Sequence, residues 1–440
     1  MSSLTRFADA ARAPRSARQG RAALRPATAV TWRGGHAKPR VDPEPPTRRL
    51  SVLMVAFEAG RWGSVRLAKP LQKAGFQVTA ICPADNPLAR TRYLDRHIPL
   101  RDVKSSARLA RVLARTVRDA SPNLIIPCDE RAVVCLQSIA RDAERYRKYG
   151  IDDAVRSLIQ HSLGATEHFD AMLLKTETAK LARSLGVLTP AAFTVETPDE
   201  AVLQAETLGY PVYVKASFSW AGMGVVLCQN RADLRAALAV MTARKPSALR
   251  GFARRLLMRD WYPKQVSIDV QKAIVGQPAM YCVSAKDGQA LAGLGAVALR
   301  TTTPTGPSSI VELGDPNPQM AVAAAKLIAS FGASGILGFD FIIEAESGDA
   351  YFLECNPRPI PIAHLGPHVG VDLCDALAKA YRNGAPSRVT ATSTKVIALF
   401  PQEWTRAPEG LDTANTFVDV PWDDPDLLRA MVTPSPTGRV

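Results

Sequence analysis

GFDFIIEAESGDAYFLECNPR, Gly338 to Arg358, holds two apolar, alternating runs separated by ESGD. Runs of this length bounded by Gly, Ser and Asp read as the strands of a β-hairpin. Pairing places Asp340 and Glu354 on neighbouring strands. A period of two sends Asn356 to the same face as Glu354, opposite Leu353 and Cys355. Three oxygen-bearing side chains then converge, and oxygen donors suit magnesium. Arg358, between Pro357 and Pro359, adds a guanidinium that can pair with a phosphate oxygen in bidentate fashion. A charged surface hairpin would use the same residue types, so the reading depends on what precedes it.

Two lysines and a glycine turn precede it. Lys175 lies in ATEHFDAMLLKTETAKLARSLG, which from Ala165 reads as one amphipathic helix ended at Gly186, with Pro190 beyond. Lys215 ends the strand YPVYV, where a charge interrupts a buried run. The loop SFSWAGMG supplies Gly222 and Gly224, whose missing side chains let main-chain amides approach an anion. Each alone has a plain structural reading: a solvated helix lysine, a strand-end lysine, a turn. Together they offer what a nucleoside triphosphate needs, namely cations for its phosphates, close amides and a divalent ion held by oxygens.

From Leu50 the pattern is SVLMVAF, SVRLAKPLQKAG, FQVTAIC, SARLARVLARTVRDA, NLIIPCDE, an alternation of apolar strand and amphipathic helix. Such a pattern predicts a parallel sheet covered on both faces, a Rossmann-like domain of about 100 residues. The turn after the first strand, EAGRWGS, lacks GxGxxG, so a dinucleotide cofactor is not expected. Gly60 and Gly63 are read as turn residues. Ligands of open parallel sheets sit beyond the strands' carboxyl ends, which singles out Glu58, Arg61 and Trp62, and Asp129, Glu130 and Arg131. Asp129 is equally readable as a helix N-cap. After the Lys215 region, RLLMRDW, QVSIDVQKAI, AMYCVSA and LAGLGAVAL read as successive strands of an antiparallel sheet.

The chain has 440 residues, 47% of them hydrophobic, enough for two or three cores. Of its net charge of +14, residues 1–49 carry +8 from ten Arg and one Lys against three acids. That segment is too poor in aliphatic residues to order itself and reads as a disordered basic tail without a targeting role. Only Phe7 and Trp32 interleave with its arginines, so nucleic-acid binding is not expected. No run reaches the roughly 20 apolar residues of a membrane span. Seven scattered cysteines without CxxC suit reduced thiols in a cytoplasm.

The ordered set Lys175, Lys215, AGMG, MRDWYPKQVSIDV, Asp340 and LECNPRP resembles the ATP-grasp superfamily from about Thr166 to Pro386, and the βαβ region resembles the pre-ATP-grasp domain that accompanies it. The resemblance implies an α/β N-terminal Rossmann-like domain followed by an α+β ATP-grasp fold. The domains would be a tail 1–49, a pre-ATP-grasp domain 50–150, ATP-grasp subdomains 151–255 and 256–386, and an extension 387–440. It assigns ATP phosphates to Lys175, Lys215, Gly222 and Gly224, adenine to Asp260, Trp261 and Tyr262, and two Mg²⁺ to Asp340, Glu354 and Asn356, with Mn²⁺ as the alternative metal. The family's ribose-binding Glu is missing; Gln265 or Lys264 stands in that neighbourhood. LRTTTPTGPSSIVEL resembles the substrate-facing segment of carboxylate-amine ligases and makes Arg300, with Arg358, the catalytic candidate. His364 and His368, in a Pro/Gly-rich loop, are read as packing residues.

The implied reaction is transfer of the ATP γ-phosphoryl group to a small-molecule carboxylate, then attack by an amine to form a C–N bond. A homodimer is compatible with it. The rivals are a single-unit carbamoyl-phosphate-synthase or biotin-carboxylase relative using bicarbonate, and a nucleotide-binding module without catalysis. The C-terminal stretch receives no chemistry; there Asp424 is expected to cap a helix starting at Pro425.

Overall fold

A computed structural model of the chain describes residues 49–60, 62–101, 105–216, 225–242, 267–303, 306–384, 389–407 and 415–433. The basic tail, Arg61, the glycine loop with Gly222 and Gly224, and the hinge candidates Asp260, Trp261, Tyr262, Lys264 and Gln265 lie outside the described residues.

The N-terminal apolar runs form strands β1 (Leu50–Val55), β2 (Phe76–Cys82), β3 (Arg96–Pro99) and β4 (Leu124–Pro127), all parallel in the order β3-β2-β1-β4. β1 is buried along its whole length, as a strand covered on both faces must be. The helices Ser106–Ala120, Glu130–Arg141 and Asp153–Leu163 start on Ser105, Asp129 and Asp152, whose side chains each accept a backbone N–H three residues on.

Two further sheets follow. β5 (Ala192–Val195), β6 (Val212–Ala216), β7 (Val225–Cys228) and β8 (Ile268–Lys272) form a four-stranded sheet in the order β5-β8-β6-β7. Its Val212, Val214 and Val270 are buried together with Leu234 and Leu238 of the helix Arg231–Thr242 in a separate core. The run QVSIDVQKAI, grouped by sequence with the strands after it, therefore pairs with β5 and β6 instead. β9 (Gly276–Lys286), β10 (Gln289–Thr301), β11 (Ser308–Gly314), β12 (Gly335–Glu344), β13 (Ala350–Asn356), β14 (Lys395–Ala398) and β15 (Phe417–Val418) make a seven-stranded sheet, ordered β13-β12-β9-β10-β11-β14-β15. Only its β14–β15 pair is parallel.

The parallel sheet and the seven-stranded sheet share both of their hydrophobic cores. One holds Leu53, Val55 and Ile125 with Phe339, Phe341 and Phe352; the other holds Val52, Met54 and Ile126 with Cys282, Leu294 and Ile360. The seam between them is close. Ser64 Oγ donates to Cys128 O at 2.8 Å, and a Cβ on Gly63 would lie 2.5 Å from Ile360 O and 2.6 Å from Pro361 Cα. Gly63 is thus required by backbone approach, whereas nothing lies within 4 Å of a Cβ on Gly60.

The C-terminal extension is tied across this seam by three aspartates. Asp419 accepts from Arg66 Nη2 at 2.8 Å and pairs with His364 Nε2 at 2.8 Å. Asp423 meets Lys69 at 2.7 Å. Asp424 stands at the N-cap position of the helix Pro425–Val432 but makes no cap bond: its carboxylate accepts from Thr91 Oγ1 at 2.5 Å and from Arg92 N. The expected cap is corrected accordingly, because a buried hydroxyl competes for the same oxygen. His368 packs with its ring 4.4 Å from that of Phe417, whereas His364 is tied to Asp419.

Gly63→Ala is expected to lower the free energy of unfolding by about 2 kcal/mol, since backbone lies on the far side of the contact and cannot rotate away. Denaturant titration checks it; an unchanged midpoint would contradict the close approach.

Candidate functional site

The hairpin forms as the sequence implies, with Gly348 at φ +75° in the turn. Asp340 lies directly opposite Glu354, and Gly338 opposite Asn356. Strict alternation along β13 would put Phe352 and Glu354 on one face. Instead the register shifts between Asp340 and Phe341, so Phe341 faces Phe352 and Leu353 is the extra residue of a β-bulge. The bulge lets Phe352 pack edge-on against Phe341 in the core, at 5.7 Å, while Glu354 turns to the lysines.

Lys175 reaches Glu354 Oε2 at 2.5 Å. It does so from a helix start rather than a helix middle. The single helix expected from Ala165 is a short turn at Thr166–His168, a helix Phe169–Leu173, a break at Leu174 (φ −95°, ψ 118°) and a helix Lys175–Ser184. Thr178 helps to fix the break by donating its hydroxyl to Ala171 O and Leu174 O.

Lys215 comes from the other sheet. It pairs in register with Val225 and Asp269, on the strand face opposite the buried Val212 and Val214. Burial and then neighbouring Lys175 lower its ammonium to about 8. Asp269, buried and held by Thr194 Oγ1 at 2.8 Å, is pushed up by burial. Sequence reasoning missed Asp269; its signal was the acid in SIDV, one strand away from Lys215.

Asp340 accepts from Asn356 Nδ2 at 3.0 Å, and burial followed by the Glu354 charge raises it to about 7. Burial also pushes Glu354 up, but Lys175 outweighs it and holds the group below the ordinary carboxylate range. Arg358 is buried, donates to Asn356 Oδ1 at 3.2 Å and to Pro359 O at 3.1 Å, and is paired with Glu130. Lys175, Lys215, Asp340, Glu354, Asn356 and Arg358 are therefore one electrostatic cluster.

Arg300 is outside it. Two register shifts flank it in β10, and its guanidinium meets Glu403 Oε1 at 3.0 Å, half exposed. Glu403 belongs to the C-terminal helix Gln402–Arg406, is buried, and is lowered to about 2, chiefly by Arg406. Its role was invisible in the sequence because the pair spans 103 positions.

At the parallel sheet's carboxyl end, Asp129 is fully buried and accepts from Phe57 N at 2.6 Å, Glu58 N at 3.0 Å and Ala132 N at 2.8 Å. Its carboxyl, raised to about 6 by burial and Glu58, fastens two loops together. Trp62 packs on the core. Glu130 reaches the cluster by pairing with Arg358.

Two carboxylates facing each other with an amide beside them fit a divalent cation, and the raised Asp340 is the electrostatic strain that such a cation would relieve. Among the described residues no group of three or more His, Cys, Asp and Glu is gathered for a metal, so Asn356 would be a needed third donor.

Residues 175–379 match the family described as the carbamoyl-phosphate synthase L chain, ATP binding domain. Over these residues the chain resembles an ATP-grasp domain. The carbamoyl phosphate synthase large chain of Clavibacter michiganensis subsp. michiganensis (strain NCPPB 382) is 29% identical over 250 residues, 57% of this chain but only 20% of that protein. The chain thus spans about a fifth of the length of the curated relative it matches. Among solved structures, the biotin carboxylase domain dimer of Hydrogenobacter thermophilus 2-oxoglutarate carboxylase, in complex with MgADP, ADP and bicarbonate, superposes with a TM-score of 0.56 at 18% identity, covering 79% of this chain and 74% of that one. N5-carboxyaminoimidazole synthetase of Staphylococcus aureus, complexed with ADP, gives 0.56 at 16% identity over 82% and 87%. The matched residues begin at Lys175, so Glu130 lies outside them. Among the described residues no helix is long and apolar enough to cross a membrane, and the seven cysteines are free.

Because Lys215 is lowered to about 8 from 10.5, its charge opposes folding fully below pH 8 and not at all above 10.5. Lys215→Met is therefore expected to stabilise the chain at pH 7 by about 1 kcal/mol, an advantage that fades toward pH 10.5. Thermal unfolding at both pH values checks this, and a destabilised variant at pH 7 would contradict the placement of Lys215.

Proposed function

We infer that the chain is an ATP- and Mg²⁺-dependent ligase that activates a small-molecule carboxylate as an acylphosphate and joins it to an amine. The observation that carries this is the register of Asp340 against Glu354 with Lys175 on Glu354 and Asn356 on Asp340. In this reading the parallel sheet is the pre-ATP-grasp domain, the described lysines serve the phosphates, and Gly222, Gly224, Asp260, Trp261, Tyr262 and Gln265 keep their assigned contacts with ATP.

Asp340, Glu354 and Asn356 would hold Mg²⁺, which would supply neutralisation of phosphate charge. Lys175 would then exchange its partner Glu354 for a phosphate oxygen, and Lys215, whose charge burial disfavours, would be held protonated by a bound anion. A substrate carboxylate oxygen attacks the γ-phosphorus, the bond to the β–γ bridging oxygen breaks, and ADP leaves. The amine attacks the acyl carbon, gives up a proton, and phosphate departs with its bonding electrons. Negative charge grows in both steps, and Arg358 and Arg300 are the cations that would steady it. For Arg300 this requires leaving Glu403 or sharing it.

A second reading, bicarbonate as the activated carboxylate, is favoured by the matched carbamoyl-phosphate-synthase family and by the bicarbonate named with the H. thermophilus structure. That structure is also described as a domain dimer, and a homodimer is the assembly this reading allows.

ADP release measured with pools of carboxylic acids and amines separates the readings. Release that needs acid and amine together supports amide formation; bicarbonate dependence supports the second reading; no release with any pool would contradict both. Glu354→Ala is expected to reduce release at least about a hundredfold. ATP affinity should also fall as pH rises through about 8, where Lys215 loses its proton, and lose that dependence in Lys215→Met.

A further inference from the structure

We propose that Glu130, contributed by the parallel-sheet region, is a positioning residue that holds Arg358 away from Asp340 and so keeps the Asp340–Glu354 carboxylates open to a divalent cation. The inference rests on the magnesium-nucleotide reading above.

Glu130 begins the helix Glu130–Arg141, where a carboxylate is favoured by the helix's unsatisfied N–H groups, and the start of that helix is fixed by Asp129. Its partner Arg358 is nearly enclosed, with side-chain exposures of 15% for Glu130 and 10% for Arg358. Arg358 Nη2 is shared between Glu130 Oε1 and Asn356 Oδ1, and its Nε is buried with no partner among the described residues. Asn356 in turn donates to Asp340 Oδ2 at 3.0 Å. One amide therefore separates the guanidinium from the carboxylate that would hold the metal.

A buried guanidinium deprived of its carboxylate pairs with the next anion within reach. Here that anion is Asp340. Charge points the same way: Lys175, Lys215 and Arg358 stand among Asp340, Glu354, Asp269 and Glu130. Without Glu130 the cluster loses one negative charge, and its attraction for a divalent cation weakens. Glu130 lies upstream of the matched ATP-grasp residues, so the metal site would depend on a side chain from another sheet.

The test uses the full chain and ADP as probe, with binding followed by calorimetry and thermal shift over a series of Mg²⁺ concentrations. In Glu130→Gln the Mg²⁺ concentration that half-maximally tightens ADP binding is expected to rise about tenfold, while ADP binding without metal is unchanged. Glu130→Asp should recover most of the loss. Joining Glu130→Gln to Arg358→Met should be no worse than Arg358→Met alone, since the effect passes through Arg358. If Glu130→Gln does not fold, Glu130→Asp and the double variant, which removes the buried cation with its partner, carry the comparison. A wild-type Mg²⁺ dependence in Glu130→Gln, or additive losses in the double variant, would overturn the proposal alone. A wild-type chain whose ADP binding ignores Mg²⁺ would overturn the underlying reading and the proposal together.

Discussion

Asp340 and Glu354 face each other across two hydrogen-bonded strands, and two carboxylates so placed cannot both ionise unless cations stand against them. The architecture of the site follows from that constraint. Lys175 answers Glu354 directly, while Asp340, held by the Asn356 amide, rises to about 7 through burial and the Glu354 charge. Lys215, buried beside Lys175, falls to about 8. Burial thus disfavours the charged form of both groups. A site strained in this way before its ligands arrive favours binding over its own stability.

Holding this strain requires rigid support from three sheets. β12 and β13 are fixed by Phe339, Phe341 and Phe352 in a core shared with the parallel sheet. Lys215 is set by the four-stranded sheet and its own core. Glu130 comes from the helix after β4, and Gly63 lets the turn after β1 sit against Ile360 and Pro361, just past Arg358. The extension, docked through Asp419, Asp423 and Asp424, closes the seam from the other side and supplies Glu403 to Arg300.

Much of this was legible in the sequence where local periodicity decides structure. The hairpin, its turn and the convergence of Asp340, Glu354 and Asn356 follow from alternation and ESGD. The bulge at Leu353 does not, because it is imposed by the competing demands of Phe352 for the core and Glu354 for the lysines. The break at Leu174 was hidden inside a helical pattern that continues through it, and only Thr178 turned back on two carbonyls hints at it. β8 looked like the first of a series of strands, since strand partners are not encoded in the strand itself. Glu130–Arg358 and Arg300–Glu403 span 228 and 103 positions, and no local pattern marks either pair.

The most direct test is whether the facing carboxylates bind a divalent ion together with a nucleotide. Mn²⁺ titrated into the chain with and without ADP, followed by its electron paramagnetic resonance signal, reports that ion without reference to any substrate. The expected result is Mn²⁺ that is bound in the presence of ADP, displaced by Mg²⁺, and lost in Asp340→Asn and Glu354→Gln. Mn²⁺ held equally well by these variants would contradict the assignment of the site.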